Sequence, residues 1–157
     1  MAPNDPAQKL SISSLEGTRI TVTAMFNPAE VHVDKSVPWH KQEKSSGDLP
    51  GLEFWLADGR VMWFELLFDG FQSGLNVYSA FVADLTRLTQ IMDPAGGANR
   101  RPPRVGVKWG AGKLPEFQGV IESLAVNYTM FLPDGTPVRA TCRVAIREAD
   151  KVAVRKP

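Results

Sequence analysis

Cys142, His32 and His40 are the side chains of this sequence best suited to nucleophilic chemistry. A cysteine becomes a catalyst when an imidazole within hydrogen-bond reach takes its proton. Cys142, however, alternates with Val138, Ala140, Val144 and Ile146, which reads as the inward set of a strand, so a small core residue is the plainer expectation. One cysteine and two histidines also fall short of the four ligands of a structural zinc site. Glu65 and Asp69 share a strand face four positions apart, too far for a tight carboxylate pair, and suit a rim or an interface. The stretch "GVKWGAG" at 106–112 matches no phosphate-loop spacing and opens no helix. No catalytic, cofactor-binding or metal-ligating residue is assigned, and no cofactor is expected.

A different set of residues asks for a partner. In "VRATCRVAIR" the arginines 139, 143 and 147 project from the same strand face as Thr141 and Ala145. Plain water, an acidic substrate, a nucleic acid and a second copy of the chain are all conceivable neighbours. Eighteen basic and seventeen acidic residues leave a formal charge of +1, which disfavours a general nucleic-acid binder. The local basic runs "NRRPPR" (99–104) and "VRKP" read as solvated loops before phosphate contacts. A lone cysteine permits no intramolecular disulfide. The start "MAPNDPAQ" lacks the pattern of a secretory signal, and no apolar run is long enough to span a bilayer, so assembly in the cytoplasm is expected.

The elements that must carry these residues are mostly strands. "KLSISSL" alternates; "TRITVTAMF" places Ile20, Val22, Ala24 and Phe26 on one face, and the Asn-Pro of "NPAE" turns the chain into "VHVD". Residues 35–50 form a long polar loop with one large aromatic, Trp39, as its natural anchor on a partner. "LEFWLADGRVMWFELLFDGF" at 52–71 predicts a hairpin about Asp58–Gly59. Its return strand bears Met62, Phe64, Leu66 and Phe68 on one side and Val61, Trp63 and Leu67 on the other, so both faces should be covered. Val77, Phe81, Leu85, Leu88 and Met92 then recur at helical spacing behind an Asn76 cap. "VGVKWG" is a short strand. In "EFQGVIESLAVNYTMFL" period two groups Val120 with Leu124, Val126, Tyr128, Met130 and Leu132, opposite Gly119, Ile121, Ser123, Ala125, Asn127 and Thr129. The arginine-faced strand runs from 138 to 148. The plan is mainly β (α+β): two packed antiparallel sheets or a partial barrel with one flanking helix, in one domain over 1–157 with its core about 10–148 and a polar tail at 149–157.

Taken in order, "MFNPAEV", "LEFWL", "FELLFDGF", "NVYSAFVADLTRL", "RPPRVGVKWG", "FQGVIESLAVNYTMF" and "DGTPVRATCRVAIRE" resemble the tube-protein domain of contractile injection systems, phage-tail-like particles that drive an inner tube through a contracting sheath. The resemblance spans roughly residues 10–148. It implies a tail-tube-like fold, six copies closing into a ring with a shared β-barrel about a lumen, and a structural rather than enzymatic role. Many relatives in extracellular systems carry a LysM module after this domain and join spike to tube; residues 1–157 contain none. That departure puts LysM-dependent contacts in doubt and leaves two roles open: a baseplate adaptor or tube-initiator ring is the expectation, with a subunit of the stacked tube as the alternative and a monomeric anion- or nucleic-acid-binding module as the remaining one. The implied partners are sister copies in a homo-hexamer, inner-tube rings, a VgrG-like spike protein and other baseplate proteins, without nucleic acid or membrane insertion. Arg139, Arg143 and Arg147 are expected on the lumen or an inter-subunit face, and Trp39 as an inter-subunit anchor.

Overall fold

The structure, a computed structural model, describes residues 5–44 and 47–155. Among the described residues nine strands form: β1 (Leu10–Ser14), β2 (Thr21–Thr23), β3 (Val31–Asp34), β4 (Trp39–Lys41), β5 (Leu52–Phe54), β6 (Val61–Asp69), β7 (Val105–Trp109), β8 (Phe117–Phe131) and β9 (Pro137–Glu148). Seven make one antiparallel sheet in the order β2-β1-β7-β8-β9-β6-β3, and β4 and β5 pair separately. The fold is mainly β with two antiparallel sheets and one short flanking helix, and neither sheet closes into a barrel.

Period two explains why the large sheet encloses a core. Leu10 and Ile12 of β1, Val105 and Val107 of β7, Met62, Phe64, Leu66 and Phe68 of β6, and Ala140, Cys142, Val144 and Ile146 of β9 all enter one buried cluster. Strands at opposite ends of the order share that cluster, so the sheet curls over its own apolar face. The helix lies against it through Phe81, whose ring stacks on Phe68 at 4.4 Å. Ion pairs fasten the margins. Arg60 at the start of β6 binds the Glu148 carboxylate at 2.7 Å, and Arg101 grips Glu16 through two guanidinium nitrogens at 2.7 and 2.9 Å. Gly119 sits where a Cβ would run into the main chain of Arg147 and Glu148, so β8 and β9 cross there without a side chain between them.

Six expectations change. The 52–71 hairpin does not form: β5 pairs with β4, whereas β6 takes β3 and β9 as neighbours. The local Asp-Gly signal is overridden because the inner face of β6 gains more by joining the core than by folding onto three exposed residues. The described residues of the 35–50 segment accordingly include β4. Phe26 is half exposed and does not continue the inward set Ile20, Val22 and Ala24. In β8 a bulge at Glu122 shifts the phase: Ile121 is buried, Val120 lies opposite Arg147, and Leu124, Val126 and Tyr128 resume the inward face. The helix starts under Asn76, whose Oδ1 accepts from the Tyr78 and Ser79 N–H groups, but runs as a π-turn over Tyr78–Val82 before the α-helix α1 (Ala83–Arg87). That wider turn brings Val82 into line with Val77, and both are buried. The outer face of β6 is only partly covered within one chain, with Leu67 exposed.

Candidate assembly surface

The arginine face is built by the pairing of β9 with β6 and β8. Val138, Ala140, Cys142, Val144 and Ile146 are fully buried, which turns Arg139, Thr141, Arg143, Ala145 and Arg147 to the outer side of the sheet. All three arginines thus share one surface, and each finds something on its own chain. Arg139 lies directly opposite Asp69 and binds it at 3.1 and 3.2 Å. The Asp69 carboxyl is held below its usual range, first by the Phe71 N–H and then by Arg139. Arg147 reaches across to Glu122 at 2.7 Å, a contact that exists because the bulge re-aims Glu122. Arg143 sits opposite Glu65 with its guanidinium 4.4 Å from the Trp63 ring, and His32 stacks on the same indole at 3.8 Å and 2°. The sequence reading missed these acidic and aromatic companions. They come from β3, β6 and β8, and only the register places them beside β9.

Two of the edges that the same sheet leaves open flank the arginine-bearing strands. β3 is its last strand on one side. On the other, β7 covers β8 only from Phe117 to Gly119, while β9 runs along β8 from Gly119 to Phe131. Residues 120–131 of β8 therefore have a neighbour on one side only. Main-chain direction can be followed across the sheet: Gly70 N–H bonds Val138 O, so even-numbered groups of β6 point to β9. Through the register with β9, the main chain of Leu124, Val126 and Tyr128 points outward from the open β8 edge.

Trp39 lies on the β4–β5 ribbon rather than in a loop. It pairs with Phe54, with ring centroids 5.5 Å apart, and His40 stacks on Trp55 at 4.0 Å. Trp39 remains 55% exposed, Trp55 67% and Leu49 85%, with Leu52, Phe54 and Leu56 exposed beside them. A lone two-stranded ribbon is at best marginally stable in water, and an apolar patch of this kind marks a surface made for contact.

Catalytic pairings do not come together. Cys142 is buried on the inner face, its thiol pushed up to about 11 by burial, whereas His32 stacks on the outer face and His40 sits on the ribbon. Among the described residues no group of three or more histidine, cysteine or carboxylate side chains is placed to hold a metal. Glu65 lies opposite Arg143 in the register and Asp69 binds Arg139, so the two carboxylates sit beside different residues.

No curated protein matches the chain. The model of one family, described as contractile injection system tube protein, matches residues 7–156. Over that near-complete span, and with a mainly β fold carrying one flanking helix, the chain belongs to the contractile injection system tube protein family, a structural family of phage-tail-like particles.

Proposed function

We propose that six copies of this chain close into a ring at the baseplate, joining the spike to the inner tube, and that the ring is sealed edge to edge by main-chain hydrogen bonds. The observation that carries the reading is the pair of open edges. β3 is antiparallel to β6, β6 to β9 and β9 to β8, so β3 and β8 run in opposite senses. A rotation about an axis along the strands keeps each strand's sense, so a neighbour's β8 meets this copy's β3 antiparallel and the alternation continues unbroken around the circle. Such contacts are heterologous, as a closed ring requires, and they remove edges that would otherwise invite aggregation.

Closure also decides which face lines the bore. The inner face of β9 and β6 is committed to the core with β1, β2, β7 and the helix, so only the arginine face can turn to the lumen. With four strands per copy at about 4.8 Å each, the circumference is roughly 115 Å and the bore about 37 Å across the main chain. Strand tilt widens it. Arg139, Arg143 and Arg147 would then line a wall in which carboxylates alternate with guanidinium groups. The β4–β5 arm, with Trp39 and Trp55, packs on a neighbouring subunit. The work is mechanical: a stiff sleeve carries the sheath's stroke to the spike, and no chemical step is required.

A subunit of the stacked inner tube is the second reading, favoured by the different chemistry of the two ends of the sheet described below. A monomeric anion-binding module is disfavoured because Arg139 and Arg147 are already engaged by carboxylates. Counting copies per particle by mass spectrometry against a labelled standard separates these readings. Six copies support the baseplate ring, a large multiple of six supports the tube, and a number that is no multiple of six contradicts ring closure.

A further inference from the structure

β3 covers the edge of β6 only from Val61 to Phe64. Beyond that point residues 26–30 run beside β6 without joining the sheet, and a groove of about 390 Å³ opens between them. Phe26 and Glu30 form one wall; Trp63, Glu65, Leu67 and Thr141 form the other. Even-numbered main-chain groups of β6 point to β9, so those of Leu67 and Asp69 point into this gap. Asp69 N–H meets the sulfur of Met25 at 3.3 Å in place of a carbonyl, and among the described residues the Leu67 main chain has no hydrogen-bond partner on that side. The groove thus combines unsatisfied strand edge, exposed apolar side chains and two carboxylates.

A segment of complementary character lies elsewhere in the chain. Residues 151–155, Lys-Val-Ala-Val-Arg, alternate with period two yet belong to no strand. Lys151, Ala153 and Arg155 fall on one side, Val152 and Val154 on the other. The segment leaves β9 just after Glu148, which Arg60 holds at the Val61 end of β6. The groove lies toward the Asp69 end, with β3 occupying the edge between. A copy therefore cannot lay its own tail along β6 into its own groove. Copies stacked head to tail bring the tail of one to the groove of the next.

We propose that residues 151–155 of one copy add as a short strand to the β6 edge at Leu67 of a second copy, forming an axial contact between successive rings. The inference rests on the ring reading in its second form, the stacked tube, because a single baseplate ring presents no further ring of the same chain; exactly six copies per particle would overturn it. The added strand supplies the main-chain partners that Leu67 lacks, as in other cases of β-strand addition. Lys151 and Arg155 meet Glu30 and Glu65, Ala153 leaves room for Trp63 and Leu67, and the two valines turn toward Met25, which packs on the core.

The test is a titration of the full chain, at concentrations where it is monomeric, with a synthetic peptide of residues 149–155, followed by nuclear magnetic resonance. Saturable shifts of the Trp63 indole N–H and of the Leu67 and Asp69 amides are expected. Two reversed charge pairs should weaken binding about tenfold, whether the reversal is made in the protein (Glu30→Lys with Glu65→Lys) or in the peptide (Lys151→Glu with Arg155→Glu). Combining both reversals should restore it. Absence of shifts at these positions, or binding indifferent to both reversals, overturns the proposal. Rings that assemble from a chain that does not bind the peptide overturn the pairing alone; peptide binding by a chain that never forms rings overturns the ring reading instead.

Discussion

Arg143→Glu probes the proposed lumen face, because the structure fixes what the side chain loses. Arg143 is exposed, makes no hydrogen bond to a carboxylate among the described residues, and lies 4.4 Å over Trp63 and opposite Glu65. Removing an exposed cation from an indole costs about 0.5–1 kcal/mol. Setting a second glutamate opposite Glu65 adds about 0.2–1 kcal/mol of cross-strand repulsion. The sum, roughly 1–2 kcal/mol, is small beside the usual 5–15 kcal/mol of a domain. For a chain of this size it lowers Tm by about 2–8 °C. Glu65→Lys on the same background should recover most of the loss. Thermal unfolding of the isolated chain followed by circular dichroism reads this out. Loss of fold, or a penalty beyond about 4 kcal/mol, would mean that Arg143 is buried against an internal partner and does not face an aqueous bore.

Three further outcomes are expected. Arg101 first, then the Arg104 N–H, hold the Glu16 carboxyl at about 2 against an ordinary 4.5, and the side chain is about a quarter exposed. A depressed carboxylate stabilises above its unfolded value and loses that contribution as pH falls, so Glu16→Gln should cost about 2 kcal/mol at neutral pH with the gap to wild type closing between pH 5 and 2 in urea titrations; a gap independent of pH contradicts the pairing. Val126→Pro removes an N–H that points out from the open β8 edge, so the isolated chain should stay folded while ring assembly fails by light scattering; normal assembly would show that this edge is not used. Trp39→Ala should shift the isolated chain's midpoint by less than about 1 kcal/mol, as surface changes do, yet reduce assembly at least several-fold in the same assay; an unchanged assembly yield would remove the arm from the interface.

Much of this architecture is written in period two. The inward set of β9, the inner face of β6 and the β1 and β7 pairs could be read directly, because half-buried strands sort side chains with no information beyond spacing. The places where reading failed share a cause: a local signal met a long-range constraint. Asp58-Gly59 is a good hairpin turn, but β6 is claimed by β3 and β9, and Arg60 is tied to Glu148 far along the chain. β8 changes phase at Glu122, where it passes from β7 to pairing with β9 alone, and no composition marks the extra residue. The Asn76 cap and the apolar stripe revealed the helix; the π-turn that buries Val82 was not visible in the spacing. For the surface, alternation located the three arginines and left their companions Asp69, Trp63 and Glu122 unread, since partners across strands depend on register.

A density map of the assembled particle that resolves main-chain carbonyls at the subunit boundary bears most directly on ring closure. The account predicts antiparallel N–H···O=C contacts of about 2.9 Å between residues 120–131 of one copy and Val31–Asp34 of the next, repeated around six copies with Arg139, Arg143 and Arg147 turned to the channel. Copies that touch only through side chains, with both of those edges left facing water, would contradict it.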